Sequence, residues 1–135
     1  MIKLFDRMVK KININKRVMI VDDEPDVLIS LKTVLERQNY DVITVTNGSE
    51  CLKEIEKGFR GVILMDIMMP TMSGRETTEK IRTNSKTKNL KVAFLTVARF
   101  SEVGKDELKK MNVVDYITKP FDNNDLVKRV KRLVG

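Results

Sequence analysis

Residues 61–74 read GVILMDIMMPTMSG, placing one acid, Asp66, between the apolar run Val62-Ile63-Leu64-Met65 and the stretch Ile67-Met68-Met69-Pro70. A carboxylate beside a hydrophobic core is costly unless it has partners. The run before it is continuous rather than alternating, as a strand covered on both faces should be. Similar runs recur at Val18-Met19-Ile20-Val21, Val42-Ile43-Thr44-Val45, Val92-Ala93-Phe94-Leu95, and Val113-Val114 through Tyr116-Ile117. Between them lie segments with helical spacing. Val27, Leu28, Leu31, Val34 and Leu35 form one apolar stripe, Cys51, Leu52 and Ile55 a shorter one, and Leu126, Val127, Val130, Leu133 and Val134 a third. Two more helices are expected near Arg75 to Arg82 and near Ser101 to Lys110.

Strands alternating with helices predict a parallel sheet between two helix layers, because right-handed crossovers place the connecting helices on its faces. The expected architecture is α/β, with five β/α units. In such sheets the loops at the carboxyl ends of the strands converge on the ligand site. Those ends read Asp22-Asp23-Glu24-Pro25, Thr46-Asn47-Gly48, Asp66, Thr96 and Thr118-Lys119-Pro120.

Composition narrows the chemistry. The 135 residues, 41% hydrophobic and 33% charged, suit one globular domain. The single cysteine, Cys51, excludes an intrachain disulfide and a clustered-cysteine zinc site, and a reducing, cytoplasmic setting is expected. The absence of histidine removes Ser-His-Asp and Cys-His catalysis and leaves carboxylates, hydroxyls and lysines. No apolar run is long enough to span a bilayer, and the start, MIKLFDRMVKK, lacks a signal peptide's apolar stretch. A net charge of +7 reads as solvated lysine-rich faces, and no direct nucleic-acid binding is expected.

Taken singly, each strand-end residue has an ordinary explanation. Asp22-Asp23-Glu24-Pro25 suits a helix start, Asp66 a polar turn, Thr96 a strand end and Lys119-Pro120 the entry to the last helix. Taken together they say more. In the 2-1-3-4-5 order of five-stranded doubly wound sheets, the first and third strands are neighbours, which brings Asp22, Asp23 and Asp66 to one spot. Three carboxylates need a counter-charge, and Mg2+ takes oxygen ligands while keeping waters for an incoming phosphate. With Lys119 and Thr96 nearby, the set is equipped to form an acyl phosphate on aspartate.

The motifs VMIVDDEP, ILMDIMMPTMSG, FLTVA and DYITKPF, in that order, resemble those of response-regulator receiver domains of two-component signalling, the group that includes the chemotaxis-type regulators. The resemblance covers residues 16–135 and implies a flavodoxin-like doubly wound (βα)5 fold with strand order 2-1-3-4-5 and helices on both faces. It implies that Asp66 is the phosphoacceptor, that Asp23 ligates Mg2+ (with Mn2+ a substitute) and that Asp22 supports a second coordination position or a bound water. The backbone carbonyl of Met68 would be a further ligand. Thr96 and Lys119 would bind phosphoryl oxygens, Lys119-Pro120 would be a cis peptide, and Thr96 with Tyr116 would form the switch. Read without the resemblance, Tyr116 is equally a half-buried strand aromatic.

The implied function is a phosphorylation-activated signalling switch that receives its phosphoryl group from a sensor histidine kinase and hydrolyses it itself, rather than a turnover enzyme. A downstream protein would meet the face of the fourth helix, fifth strand and fifth helix, with the chain a monomer or a phosphorylation-dependent homodimer. Val114 replaces an acid used in many such dimers, and Val97 a small residue. Thr71 and Ser73 stand where glycine and aspartate are common, and Asn112 where glycine is usual; serine remains a helix cap and asparagine tolerates left-handed backbone. Met68 and Ala98 occupy positions that tune phosphate lifetime, while Met69 is expected to pack.

Residues 1–15 read as a basic amphipathic extension, with Leu4, Phe5, Met8, Val9 and Ile12 at helical spacing beside Lys3, Arg7, Lys10 and Lys11. The chain is expected to lack an output domain beyond its last helix. Two alternatives remain. A flavodoxin-like small-ligand module would need a glycine- or hydroxyl-rich first loop where DDEP stands. An aspartyl-nucleophile phosphatase would need a second aspartate at the position of Met68.

Overall fold

Every residue of strand β3 (Val62–Asp66) is buried, as a continuous apolar run in the middle of a covered sheet demands. The structure, a computed structural model, describes residues 16–97 and 109–135. Around β3 the described elements are β1 (Arg17–Val21), α1 (Pro25–Glu36), β2 (Asp41–Val45), α2 (Gly48–Glu56), α3 (Gly74–Thr83), β4 (Val92–Val97), β5 (Asp115–Lys119) and α4 (Asn123–Val134). The extension 1–15 lies outside them, as do Ala98 and all of the expected helix at Ser101 to Lys110 except Lys109 and Lys110.

The five strands pair in parallel in the order β2-β1-β3-β4-β5. Alternation along each strand divides the core in two. Val18, Ile20, Val62, Leu64, Ala93 and Leu95 meet α1 and α4 through Leu28, Leu31, Leu126 and Val130. Met19, Val21, Ile63, Met65, Val92 and Phe94 meet α2 and α3 through Cys51, Ile55 and Ile81. The three apolar stripes are those expected, with Val27, Val34, Leu52, Val127 and Val134 only half-buried at their margins.

The helices begin where the local chemistry directs. Pro25 opens α1, where its missing N–H costs nothing. Asn47, Ser73 and Asp122 each accept a hydrogen bond from the backbone N–H three residues on, at 2.9, 3.1 and 2.9 Å. Asn112 does adopt left-handed backbone, at φ 55°.

Two boundaries differ from those read in the sequence. Strand β5 starts at Asp115, not at the Val113-Val114 pair, because the turn at Asn112 first delivers the Val114 N–H to Val92 O at 2.9 Å. Asp66, Thr96 and Lys119 lie within the closing residues of their strands rather than after them.

Candidate functional site

Strand alternation and order build the site. The period of two that buries Val62 and Leu64 on the α1/α4 side carries Asp66 to the same side, as it does Asp22 after Ile20 and Lys119 after Ile117. Since β1 and β3 are neighbours, their ends bring Asp22, Asp23 and Asp66 together. Each offers a carboxylate oxygen, and these oxygens lie within 4.8 Å of one another. Asp22 is fully buried and Asp66 is 4% exposed, while Asp23 is open to solvent.

Lys119 reaches in from the edge strand. Its ammonium donates to Asp22 Oδ2 at 2.8 Å and lies 3.7 Å from both Asp66 Oδ1 and Glu24 Oε1. Burial works against this ammonium, but its hydrogen bond and attraction to Asp22, with the pull of Asp66 and Glu24, hold its pKa above the ordinary lysine value. Two backbone donors complete the inner set: Glu24 N–H to Asp22 Oδ1 at 2.9 Å and Met68 N–H to Asp66 Oδ1 at 3.1 Å.

One ammonium does not balance three carboxylates. Burial, then repulsion from Asp22, pushes the Asp66 carboxyl up to about 6, with Asp23 adding to the rise and Lys119 and the Met68 N–H opposing it. The cluster is thus a set of hard oxygen donors short of positive charge, and it can hold a metal ion.

The loop after β3 is tightly held. Ile67 N–H donates to Leu95 O at 3.3 Å and Gly74 N–H to Ile67 O at 3.0 Å. A Cβ on Gly74 would stand 2.2 Å from the Asp66 carbonyl oxygen, so no larger residue fits there without moving the loop. Thr71 sits at φ 73°, unusual for a β-branched side chain. Met69 packs in the core, whereas Met68 is 79% exposed.

Register pairs Asp66 with Leu95 and places Thr96 one step further toward the carboxyl edge. Thr96 is 7% exposed, and its hydroxyl makes a long 3.4 Å bond to Val97 O. Tyr116 pairs with Phe94 and is half-buried against the α2/α3 core. By alternation Thr96 shares that face, which makes the two diagonal neighbours across β4 and β5. Val97 is 59% exposed, at a cleft of about 540 Å³ shared with Glu24, Lys119 and Phe121. The Lys119–Pro120 peptide bond is cis.

A sequence description of the response regulator receiver domain matches residues 18–131. The chain belongs to this family. It is 33% identical over 120 residues to the alkaline phosphatase synthesis transcriptional regulatory protein PhoP of Bacillus subtilis, spanning 89% of this chain and 49% of that protein. It is 30% identical to PilH of Pseudomonas aeruginosa, over 88% of this chain and 98% of that protein. Thus the receiver domain spans about half the length of the transcriptional regulators it matches, and nearly all of PilH. The chemotaxis protein CheY4 of Vibrio cholerae superposes with a TM-score of 0.81 at 30% identity, covering 87% of this chain and 97% of that one. A receiver domain protein from Methanospirillum hungatei gives 0.77 at 39%, covering 88% and 94%.

Two participants in the receiver site went unassigned in the sequence. Glu24 shares Lys119 with the buried acids, which its position within the acidic DDEP motif could have suggested. Gly74 fits against Asp66, and the hint was a glycine at a helix start already capped by Ser73. Among described residues no helix is long and apolar enough to cross a membrane.

Proposed function

We propose that this receiver domain is a phosphorylation switch in which Asp66 accepts a phosphoryl group from the phosphohistidine of a separate sensor histidine kinase. The observation that carries the reading is the meeting of Asp22, Asp23 and Asp66 with the Lys119 ammonium at the carboxyl edge of adjacent strands. An Asp66 carboxylate oxygen attacks phosphorus, forming the O–P bond as the donor's P–N bond breaks and its electron pair returns to the imidazole nitrogen. The Met68 N–H fixes one Asp66 oxygen and so orients the other. Lys119, 3.7 Å from Asp66, and the Thr96 hydroxyl take up the new phosphoryl oxygens. The carboxylates of Asp22, Asp23 and Asp66 and the Met68 carbonyl would hold Mg2+, or Mn2+ in its place, which would supply the positive charge that lets acids and phosphoryl group share the site.

The output follows from the same groups. Drawing the Thr96 hydroxyl toward the phosphoryl oxygens vacates space on the face it shares with Tyr116, and the phenol ring moves in, biasing an equilibrium between two packings. The surface of β5 and α4 would carry the change to a downstream protein, with the chain a monomer or a phosphorylation-dependent homodimer. One phosphoryl group per chain is held and then lost to water, so the domain acts as a timed switch rather than a turnover enzyme. It works in the cytoplasm, where the buried, unpaired thiol of Cys51 stays reduced.

Incubation with acetyl phosphate and Mg2+, followed by intact-mass measurement, should show one phosphoryl increment that is absent in Asp66→Asn and after chelation. An unmodified wild-type chain would refute the proposal.

A further inference from the structure

β1 and β3, which carry acids at their carboxyl ends, have cations at the other, and β4 beside them begins after a lysine. Val18 pairs with Val62 and Ile63 with Val92, so one step before these pairs come Arg17, Gly61 beside Arg60, and Lys91. The backbones are close here: a Cβ on Gly61 would stand 2.4 Å from Arg17 O. Arg17, Arg60 and Lys91 line a cleft of about 260 Å³ with Asn89, over apolar Val62, Leu90 and Leu133, and no acidic side chain is among its lining residues.

The three cations are held in place largely by neutral acceptors. Arg60 Nη1 donates to Ile55 O at 3.0 Å and Phe59 O at 2.7 Å, and Lys91 Nζ donates to Leu133 O at 2.7 Å. These bonds orient the cations without cancelling their charge, and neither residue has a carboxylate partner among the described residues. Arg17 lies 5.2 Å over the Phe59 ring, and its acidic partner among the described residues, Asp41 at 3.3 Å, is itself more than half exposed. Lys91 retains two N–H donors, and Arg60 retains its Nε and Nη2 donors.

We propose that this cleft binds a phosphate monoester whose organic part is apolar. The row of largely uncompensated cations suits a compact dianion, which guanidinium and ammonium groups bind through charge-assisted hydrogen bonds. The apolar floor suits the ester's organic group. A soluble ester and an anionic lipid headgroup share this chemistry.

Backbone amide NMR in Mg2+-free, chelator-containing buffer, with phenyl phosphate as the probe, tests the site away from the acidic cluster. Saturable shifts confined to Arg17, Gly61 and Asn89 to Lys91 are expected. Asn89→Asp, which removes no anchoring hydrogen bond, should weaken binding by about tenfold or more through like-charge repulsion, and Asn89→Lys should tighten it. Co-sedimentation with phosphatidic acid vesicles but not phosphatidylcholine vesicles would identify a lipid headgroup as the source, and binding of phenyl phosphate without either would identify a soluble ester. Absent or scattered shifts, indifference to Asn89→Asp, or equal affinity for inorganic phosphate would overturn the proposal.

Discussion

Asp66→Asn should make the metal-free protein more stable at neutral pH, even though it removes the residue on which the proposed function depends. The Asp66 carboxyl is pushed from 3.8 up to about 6 by burial and by Asp22. A carboxyl whose folded value lies above its unfolded one binds more protons when folded. Its contribution is therefore fully present below about pH 4 and is lost as pH rises through about 6. Each pH unit between the two values is worth about 1.4 kcal/mol, so the ionised carboxylate weakens the metal-free fold at pH 7 by about 3 kcal/mol. The amide does not titrate and escapes this penalty, while Lys119 keeps its 2.8 Å bond to Asp22. Thermal unfolding in chelator should show the variant melting about 10 °C above wild type at pH 7, and the two converging near pH 3.5. Saturating Mg2+ should narrow or reverse the gap, because binding to the folded state alone at a hundredfold excess over Kd adds about 2.7 kcal/mol. An absent gain at pH 7, or a gain that persists at pH 3.5, would refute carboxylate repulsion as its cause.

Other perturbations probe the scaffold. Arg82 donates to Met111 O, Lys88 O, Leu90 O and Asn112 O at 2.7, 2.8, 2.7 and 3.1 Å, so Arg82→Met should cost about 3 kcal/mol in urea unfolding. Arg82→Lys should recover less than half of that, since an ammonium lacks the planar fork. Thr71→Gly should raise stability by about 1 kcal/mol by relieving the left-handed backbone at φ 73°, read as a higher unfolding midpoint. Gly74→Ala should destabilise by about 2 kcal/mol and slow phosphorylation by acetyl phosphate, because its methyl group displaces the Asp66 backbone.

What could be read from the sequence was what short-range chemistry dictates. The continuous run before Asp66 predicted a strand covered on both faces, and β3 is buried throughout. Asn47, Ser73 and Asp122 begin helices because a short polar side chain followed by a free N–H is a local pattern. The convergence of Asp22, Asp66 and Lys119 rested on a strand order taken from the fold class, since periodicity fixes which face a residue occupies but not which strand lies beside it. The Arg82 clasp was not legible at all. Its acceptors are backbone carbonyls up to 30 positions away, and any residue would supply them. The pairing of Arg129 with Asp115 and Asp125, at 2.7 and 2.8 Å, ties α4 to β5 and was not legible either.

The unequal support of the strands gives the site one wall braced by strands on both sides and one braced on a single side. β1 and β3 are flanked on both sides, and the turn after β3 is clamped by the Leu95 carbonyl and by the close fit of Gly74. β5 borders a single neighbour and brings Lys119 to the site from the sheet's rim. A charge added at Asp66 would meet a strand braced on both flanks, while the ammonium that answers it hangs from the rim.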